Sequence, residues 1–235
     1  MKKTIALVGA LASMTGAAAA ELGGEAHAGY ATQYIFRGQD LGNNLFYGGF
    51  DGTYSGLFGM KNLSANAGVW GGKFEFSPEV DREVDFFGSL AYDFGKLHAE
   101  AGYTYYLFDV DGLDSQEAFF SLSSFCEKLE MHFALTYFLD IRDQDNGGYL
   151  EGTVSRSFEL NEKLSLDLEL IAAYLTEESE FSHLGATVAL PFRLNDAFTV
   201  SPYVAATIEL AGLKVVSPSN AQNEYIAGVR VSAGF

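Results

Sequence analysis

Residues 224–235 read Glu-Tyr-Ile-Ala-Gly-Val-Arg-Val-Ser-Ala-Gly-Phe, and their alternation decides the fold. Tyr225, Ala227, Val229, Val231, Ala233 and Phe235 fall on one face of an extended chain. Glu224, Gly228, Arg230, Ser232 and Gly234 fall on the other, with Ile226 the only bulky apolar exception. Successive side chains of a strand point to opposite sides, so one side of this segment is apolar and the other polar. A strand of that kind ending on an aromatic residue suits the last strand of a transmembrane β-barrel, with lipid on one face and a lumen on the other.

The same alternation recurs upstream. Val84, Phe86, Leu90, Tyr92 and Phe94 oppose Glu83, Asp85, Ser89 and Asp93. Leu97, Ala99, Ala101, Tyr103, Tyr105 and Leu107 oppose His98, Glu100 and Thr104. Comparable patterns run through 129–137, 164–174 and 198–210, with weaker segments at 25–37, 45–55, 63–74, 117–125, 149–158 and 181–192. The reading is an all-β, antiparallel up-and-down barrel of about twelve strands, each near the length that a tilted strand needs to cross a bilayer.

The links between these segments point the same way. Gly95-Lys96, 126–128, 159–163 and 193–197 are short, whereas 75–82, 109–116, 139–148 and 211–223 are longer and polar. Alternating tight turns and longer loops are expected of outer-membrane barrels, whose turns face the periplasm and whose loops face outward. A soluble β-sandwich also alternates, but it has no rule for loop length and shows a polar, charged outer face. Closure follows from energetics. An unpaired backbone N–H or C=O in hydrocarbon costs several kcal/mol, so the last strand is expected to pair with the first.

At the other end, Lys2 and Lys3 precede an uncharged stretch, Thr4 to Ala20, that closes on Ala18-Ala19-Ala20 before Glu21. This reads as a secretory signal peptide over 1–20, leaving 21–235 as the barrel and placing the protein in the outer membrane of a Gram-negative bacterium. The whole chain has 14 basic and 31 acidic residues and a net charge of −17. Losing Lys2 and Lys3 takes the charge to about −19. That balance excludes a nucleic-acid partner, which needs a basic face. The single cysteine, Cys126, excludes an internal disulfide framework.

The first half of the mature chain resembles the TorF-type porin family, a group of exported Gram-negative outer-membrane proteins of the Gcw type. The likeness rests on 29–38, Gly-Tyr-Ala-Thr-Gln-Tyr-Ile-Phe-Arg-Gly, and on Gly48-Gly49-Phe50-Asp51. Val69-Trp70-Gly71, Glu83-Val84-Asp85 and residues 101–106 (Ala-Gly-Tyr-Thr-Tyr-Tyr) complete it. The resemblance implies a barrel with a transport role.

With the apolar face turned to lipid, the opposite face lines the interior. The candidate lining is Glu25, Glu83, Asp85, Asp93, Glu100, Glu130, Asp167, Glu169, Glu209 and Glu224, against Arg37, Arg230 and Lys73. His27, His98, His132 and His183 project the same way. An acidic lining concentrates cations and repels anions, so the expected function is a porin-like channel for small polar solutes that prefers cations. The alternative is a non-conducting structural barrel plugged by its own polar network, with Arg37 and Arg230 pairing with Glu83, Asp85 or Glu25. Expected partners are outer-membrane lipid and the barrel-assembly machinery, the latter through Tyr225, Val229, Val231 and Phe235.

Tyr34, Phe36, Tyr92, Tyr105, Tyr137 and Tyr174 are expected in the aromatic girdles. The acids Asp109, Asp111, Asp114 and Glu117, and Asp140, Asp143 and Asp145, lack calcium-loop spacing and read as solvated loop tips. Ser182 and His183 are the best seed for a hydrolase, but neighbours on a strand face opposite sides and no triad emerges. The sequence therefore reads as a non-enzyme without metal or cofactor.

Overall fold

The computed structural model describes residues 21–75, 81–110, 113–142, 148–216 and 222–235. The signal peptide expected over 1–20 lies outside the described residues, as do Asp111, Asp143 and Asp145. Thirteen strand segments form one antiparallel sheet. They are β1 (Glu21–Phe36), β2 (Gln39–Ser55), β3 (Leu63–Glu75), β4 (Arg82–Asp93), β5 (His98–Phe108), β6 (Ser115–Cys126) and β7 (Met131–Asp140). β8 (Tyr149–Asn161), β9 (Leu164–Leu175), β10 (Glu180–Ala189), β11 (Phe192–Arg193), β12 (Phe198–Glu209) and β13 (Glu224–Gly234) follow.

β10 and β11 are two parts of one wall strand, separated at Leu190-Pro191; both pair with β9 on one side and β12 on the other. Proline lacks the N–H that would continue a ladder, so the regular pairing breaks there. Each strand pairs with its sequence neighbours, and β13 pairs with β1 from Glu25↔Gly234 to Ala31↔Gly228. The sheet is thus a closed twelve-stranded antiparallel barrel. Every edge is satisfied, as the hydrocarbon requires.

Alternation sorts the side chains as the sequence predicts. Phe50, Phe86, Leu90, Phe120, Leu135, Leu170, Val204 and Tyr225 are exposed on the outside, and the inward phase carries the polar residues together with a few aromatics such as Phe87, Phe119 and Tyr203. Among the described residues, no helix is long and apolar enough to cross a membrane. The crossing elements are strands.

One end of the barrel carries Glu21, where the described residues begin, and Phe235. Phe235 closes this end, exchanging two backbone hydrogen bonds of 3.1 Å with Gly24 and stacking on Phe50 at 5.7 Å. The links here are mostly tight, but β2–β3 is an exception: residues 56–62 include a short 3-10 turn, Leu57–Gly59. The opposite, loop end carries the longer connections and a short helix, α1 (Ala211–Val216). Its exceptions are the four residues 176–179 and the first hairpin, which turns on Arg37-Gly38 alone. The long–short rule therefore holds for most links, not all.

That first hairpin is the departure from a simple barrel. β1 and β2 are the longest strands, 16 and 17 residues, more than a crossing needs. Their ladder slips between Gln33 and Ile35, and the β2–β3 ladder slips between Asn43 and Phe46. A bulge bends the strand that carries it. Beyond these bulges Tyr34, Phe36 and Arg37 are at most 5% exposed, so the hairpin leaves the wall and enters the lumen. Tyr34 and Phe36 are consequently not girdle residues: the bulge moves them off the lipid-facing phase that simple alternation assigns. Tyr92 and Tyr137 do remain exposed on the outside.

Candidate functional site: the lumen and its inward hairpin

The hairpin tip crosses the barrel. Arg37 and Gly38 both have positive φ, 48° and 80°, as a two-residue type I′ turn demands. A left-handed arginine costs about 1–2 kcal/mol, so its contacts must hold it there. Its guanidinium donates to both carboxylate oxygens of Glu117 on β6, at 2.7 and 2.9 Å. It lies between the rings of Phe138 on β7 and Tyr149 on β8, 4.3 and 4.4 Å from their centroids. The Tyr106 hydroxyl donates to the same Glu117 at 2.8 Å. Both members of the ion pair are almost wholly buried, with side chains 1% and 2% exposed.

In a ring of twelve strands, β7 stands six places from β1 in either direction. An arginine rooted at the end of β1 and stacked on Phe138 therefore spans the full width of the lumen. Two apolar clusters hold the span. At its root, Tyr34 packs with Ala31, Leu45 and Phe74 and stacks on Trp70 at 5.8 Å; at the far side, Phe138 and Tyr149 cluster with Ala173 and Leu175. Tyr34 also donates to Glu83 at 3.0 Å, and Gln33 donates to Glu224 at 2.7 Å. The tip packs against β10 so closely that a Cβ on Gly38 would stand 2.8 Å from the His183 ring. Only glycine fits there, by space and by φ.

Below the hairpin the lumen holds a cavity of about 910 Å³. Its walls carry Glu25, Asp51, Asp85, Glu100, Glu151, Asp167 and Glu169, against Arg37 and Arg230. Both arginines are committed: Arg37 to Glu117 and Arg230 to Glu25. Glu100 accepts hydrogen bonds from Ser89 and from Asn66 (3.1 Å), and Asp167 accepts one from Ser157 at 2.6 Å. Aromatic side chains interrupt the charge. Tyr47, Trp70, Phe87, Phe119 and Tyr203 all line the same space.

The structure places most of the expected lining in the lumen, but Asp93, Glu130, Glu209, Lys73, His98 and His132 do not line the cavity. Glu25, Asp85, Glu100, Asp167, Glu169 and Arg230 line the cavity, as do His27 and His183. Glu83 and Glu224 are buried inside, each holding a hairpin side chain. Asp93 does not line the cavity: at the end of β4 it accepts the Gly95 backbone N–H at 2.6 Å and caps a turn. Glu209, at the end of β12, is held by Lys214 of α1 at 2.9 Å. Glu130 lies in a turn with φ 52° and pairs on the outer surface with Arg156 at 2.6 Å. Lys73 is exposed and pairs with Asp81 at 3.5 Å.

The predicted partner of Arg230, Glu25, is correct, whereas Arg37 takes Glu117 and not Glu83, Asp85 or Glu25. Glu117 and Asp140 are not loop-tip acids. Both are strand residues, buried, and Asp140 accepts a hydrogen bond from Ser115 at 3.1 Å. Inward polarity at Ser115, Glu117, Ser121 and Ser123 against Ala118, Phe120 and Leu122 is the sequence signal that marks Glu117 as luminal. Ser182 and His183 also break the expectation of opposite faces: a bulge between Phe181 and His183 buries both and brings Ser182 Oγ to 3.2 Å from His183 Nδ1. Among the described residues no carboxylate hydrogen-bonds that histidine, and the hairpin tip covers it, so no triad is assembled.

Comparison with solved structures places this architecture. The KdgM porin, in complex with disordered oligogalacturonate, matches 91% of this chain and 98% of its own at a TM-score of 0.50 and 11% identity. The fold is that of outer-membrane porins. The NanC porin matches 89% of this chain and 98% of its own, at a TM-score of 0.55 and 8% identity. An outer-membrane channel from Pseudomonas putida F1 matches 94% and 97%, again at 0.55 and 8%. No protein-family model and no curated protein matches the sequence.

Proposed function

We propose that the protein is an outer-membrane, porin-like channel for small polar solutes that prefers cations, narrowed at its loop end by the β1–β2 hairpin. The observation that carries this reading is the 910 Å³ cavity with its surplus of carboxylates over two already paired arginines. Fixed negative charge on a narrow wall raises the local concentration of cations and lowers that of anions. The KdgM porin was solved with an anionic oligosaccharide. The acidic lumen described above would repel such a ligand, so the shared barrel does not carry a shared solute. The resemblance of residues 29–106 to TorF-type porins points to the same transport class.

A membrane location follows from the exterior: a belt of exposed Phe, Leu, Val and Tyr is stable only against acyl chains. With an even strand number, and with Glu21 and Phe235 at one end, that end faces the periplasm and α1 lies on the outside.

A second reading, a non-conducting barrel, is favoured by the hairpin itself, which spans the lumen from β1 to β7. Planar-bilayer recording under a salt gradient decides between them. The channel reading expects discrete steps with a cation-selective reversal potential. Silent insertion of correctly folded protein, by heat-modifiable mobility, favours the plugged barrel.

A further inference from the structure

Near the terminal end of the lumen, three potential ligands converge. Glu25 and His27 are alternate, inward residues of β1, and Asp51 on β2 is the registered partner of Glu25. Opposite His27 stands Gly49, where a Cβ would meet the imidazole at 2.8 Å; its absence lets the ring lie against β2. His27 Nδ1 is 3.3 Å from Asp51 Oδ2 and 3.9 Å from Glu25 Oε1. One ligand atom of each residue lies within 4.8 Å of the others.

The histidine supplies an independent indication. Its side chain is 9% exposed, and Nδ1 is buried without a hydrogen-bond partner. A buried ring nitrogen left unsatisfied is costly. It faces two carboxylates, which as ions can only accept; a ring N–H could serve them, but none of the contacts has hydrogen-bond geometry, and a cation between the three converging groups would satisfy all of them at once. An imidazole with two carboxylates suits a borderline ion of the zinc class better than calcium or magnesium, which prefer all-oxygen sites. At bonds of about 2.0–2.2 Å, tetrahedral ligand atoms stand about 3.3 Å apart. The histidine–Asp51 separation already has that value; the Glu25 oxygen needs a small rotation.

We infer that His27 Nδ1, Asp51 and Glu25 form a binding site for a divalent transition-metal ion on the luminal wall, with the fourth position open to the cavity. Arg230 is its built-in competitor, because the guanidinium already engages the same Glu25 oxygen. The inference does not depend on whether the barrel conducts.

Titration calorimetry with zinc chloride on the folded barrel in detergent, joined to Cu²⁺ paramagnetic resonance, tests it. The expected result is one saturable site with imidazole-nitrogen coupling. His27→Ala and Asp51→Asn should each weaken binding at least tenfold, and the first should abolish the nitrogen coupling. Arg230→Gln should tighten binding several-fold by freeing Glu25, an effect that a merely structural cluster would not give. Alanine at His98, His132 or His183 should change nothing. No saturable binding up to about 1 mM zinc, or affinity unaltered by His27→Ala in a barrel with normal heat-modifiable mobility, overturns the inference.

Discussion

Replacing Arg37 with alanine removes the ion pair with Glu117 that fastens the hairpin to the far wall. Its partner Glu117 would then be left buried, with the Tyr106 hydroxyl as its remaining close donor. Breaking a buried ion pair by deleting one member costs about 3–5 kcal/mol, because the surviving charge stays uncompensated. Loss of the stacking between Phe138 and Tyr149 adds about 1–2 kcal/mol, the range for a desolvated cation over a ring. Relief of the left-handed backbone strain at position 37 returns little, since alanine is also disfavoured at φ 48°.

A net loss of about 3 kcal/mol, the cautious end, raises the undocked-to-docked ratio more than a hundredfold, as 1.4 kcal/mol is a factor of ten. The closed barrel tolerates this because the tip contributes nothing to the ring of strand pairings. Single-channel recording should therefore show larger or longer-lived open levels for Arg37→Ala than for wild type. Trp70, the sole tryptophan, reports the same event through the Tyr34 ring stacked on it. Glu117→Ala should act alike, and the double variant should recover part of the loss because no charge is orphaned. Identical conductance and identical Trp70 emission in wild type and Arg37→Ala would refute the latch.

Four further outcomes follow from the same geometry. Gly38→Ala, which forces a Cβ to within 2.8 Å of His183 at a positive φ, should release the tip without touching any charge, giving the Arg37→Ala conductance. Glu100→Gln with Asp167→Asn should shift the reversal potential toward zero selectivity, read under a tenfold salt gradient. Leu170→Arg, on the lipid face, should destabilise the barrel by about 2–4 kcal/mol if it lies near the bilayer midplane, measured by denaturant unfolding from vesicles. Deleting Phe235 removes its stacking on Phe50 and the Gly24 backbone pair, and should slow assembly as seen in the time course of heat-modifiable mobility.

Strand alternation made most of the wall legible from residue order alone. In β5 and β13 every outward Tyr, Val and Leu and every inward Glu and Arg stands where a period of two puts it, because lipid enforces the pattern on one face. The first hairpin was not legible, for a physical reason. A bulge adds one residue and inverts the phase beyond it, so Tyr34 and Phe36 look lipid-facing while they are buried in the lumen. The bulge at Phe181/His183 hides the contact of Ser182 and His183 in the same way. Glu117 was obscured by distance: its partner lies 80 residues earlier in the chain, and no local pattern announces a contact that only ring closure creates. Strand ends were the other weak point. There Asp93, Glu130 and Glu209 lie off the cavity wall and serve a turn, an outer-surface pair and a helix.

Site-directed spin labelling along 165–170, in a Cys126→Ser background and in lipid vesicles, tests the central claim most directly. Labels at Leu166, Leu168 and Leu170 should be accessible to oxygen and shielded from a water-soluble nickel chelate. Labels at Ser165, Asp167 and Glu169 should show the reverse, giving a period of two in both quenchers. Uniform accessibility along the six positions, or water exposure at the leucines, would contradict a barrel whose apolar exterior meets acyl chains and whose polar interior encloses the cavity.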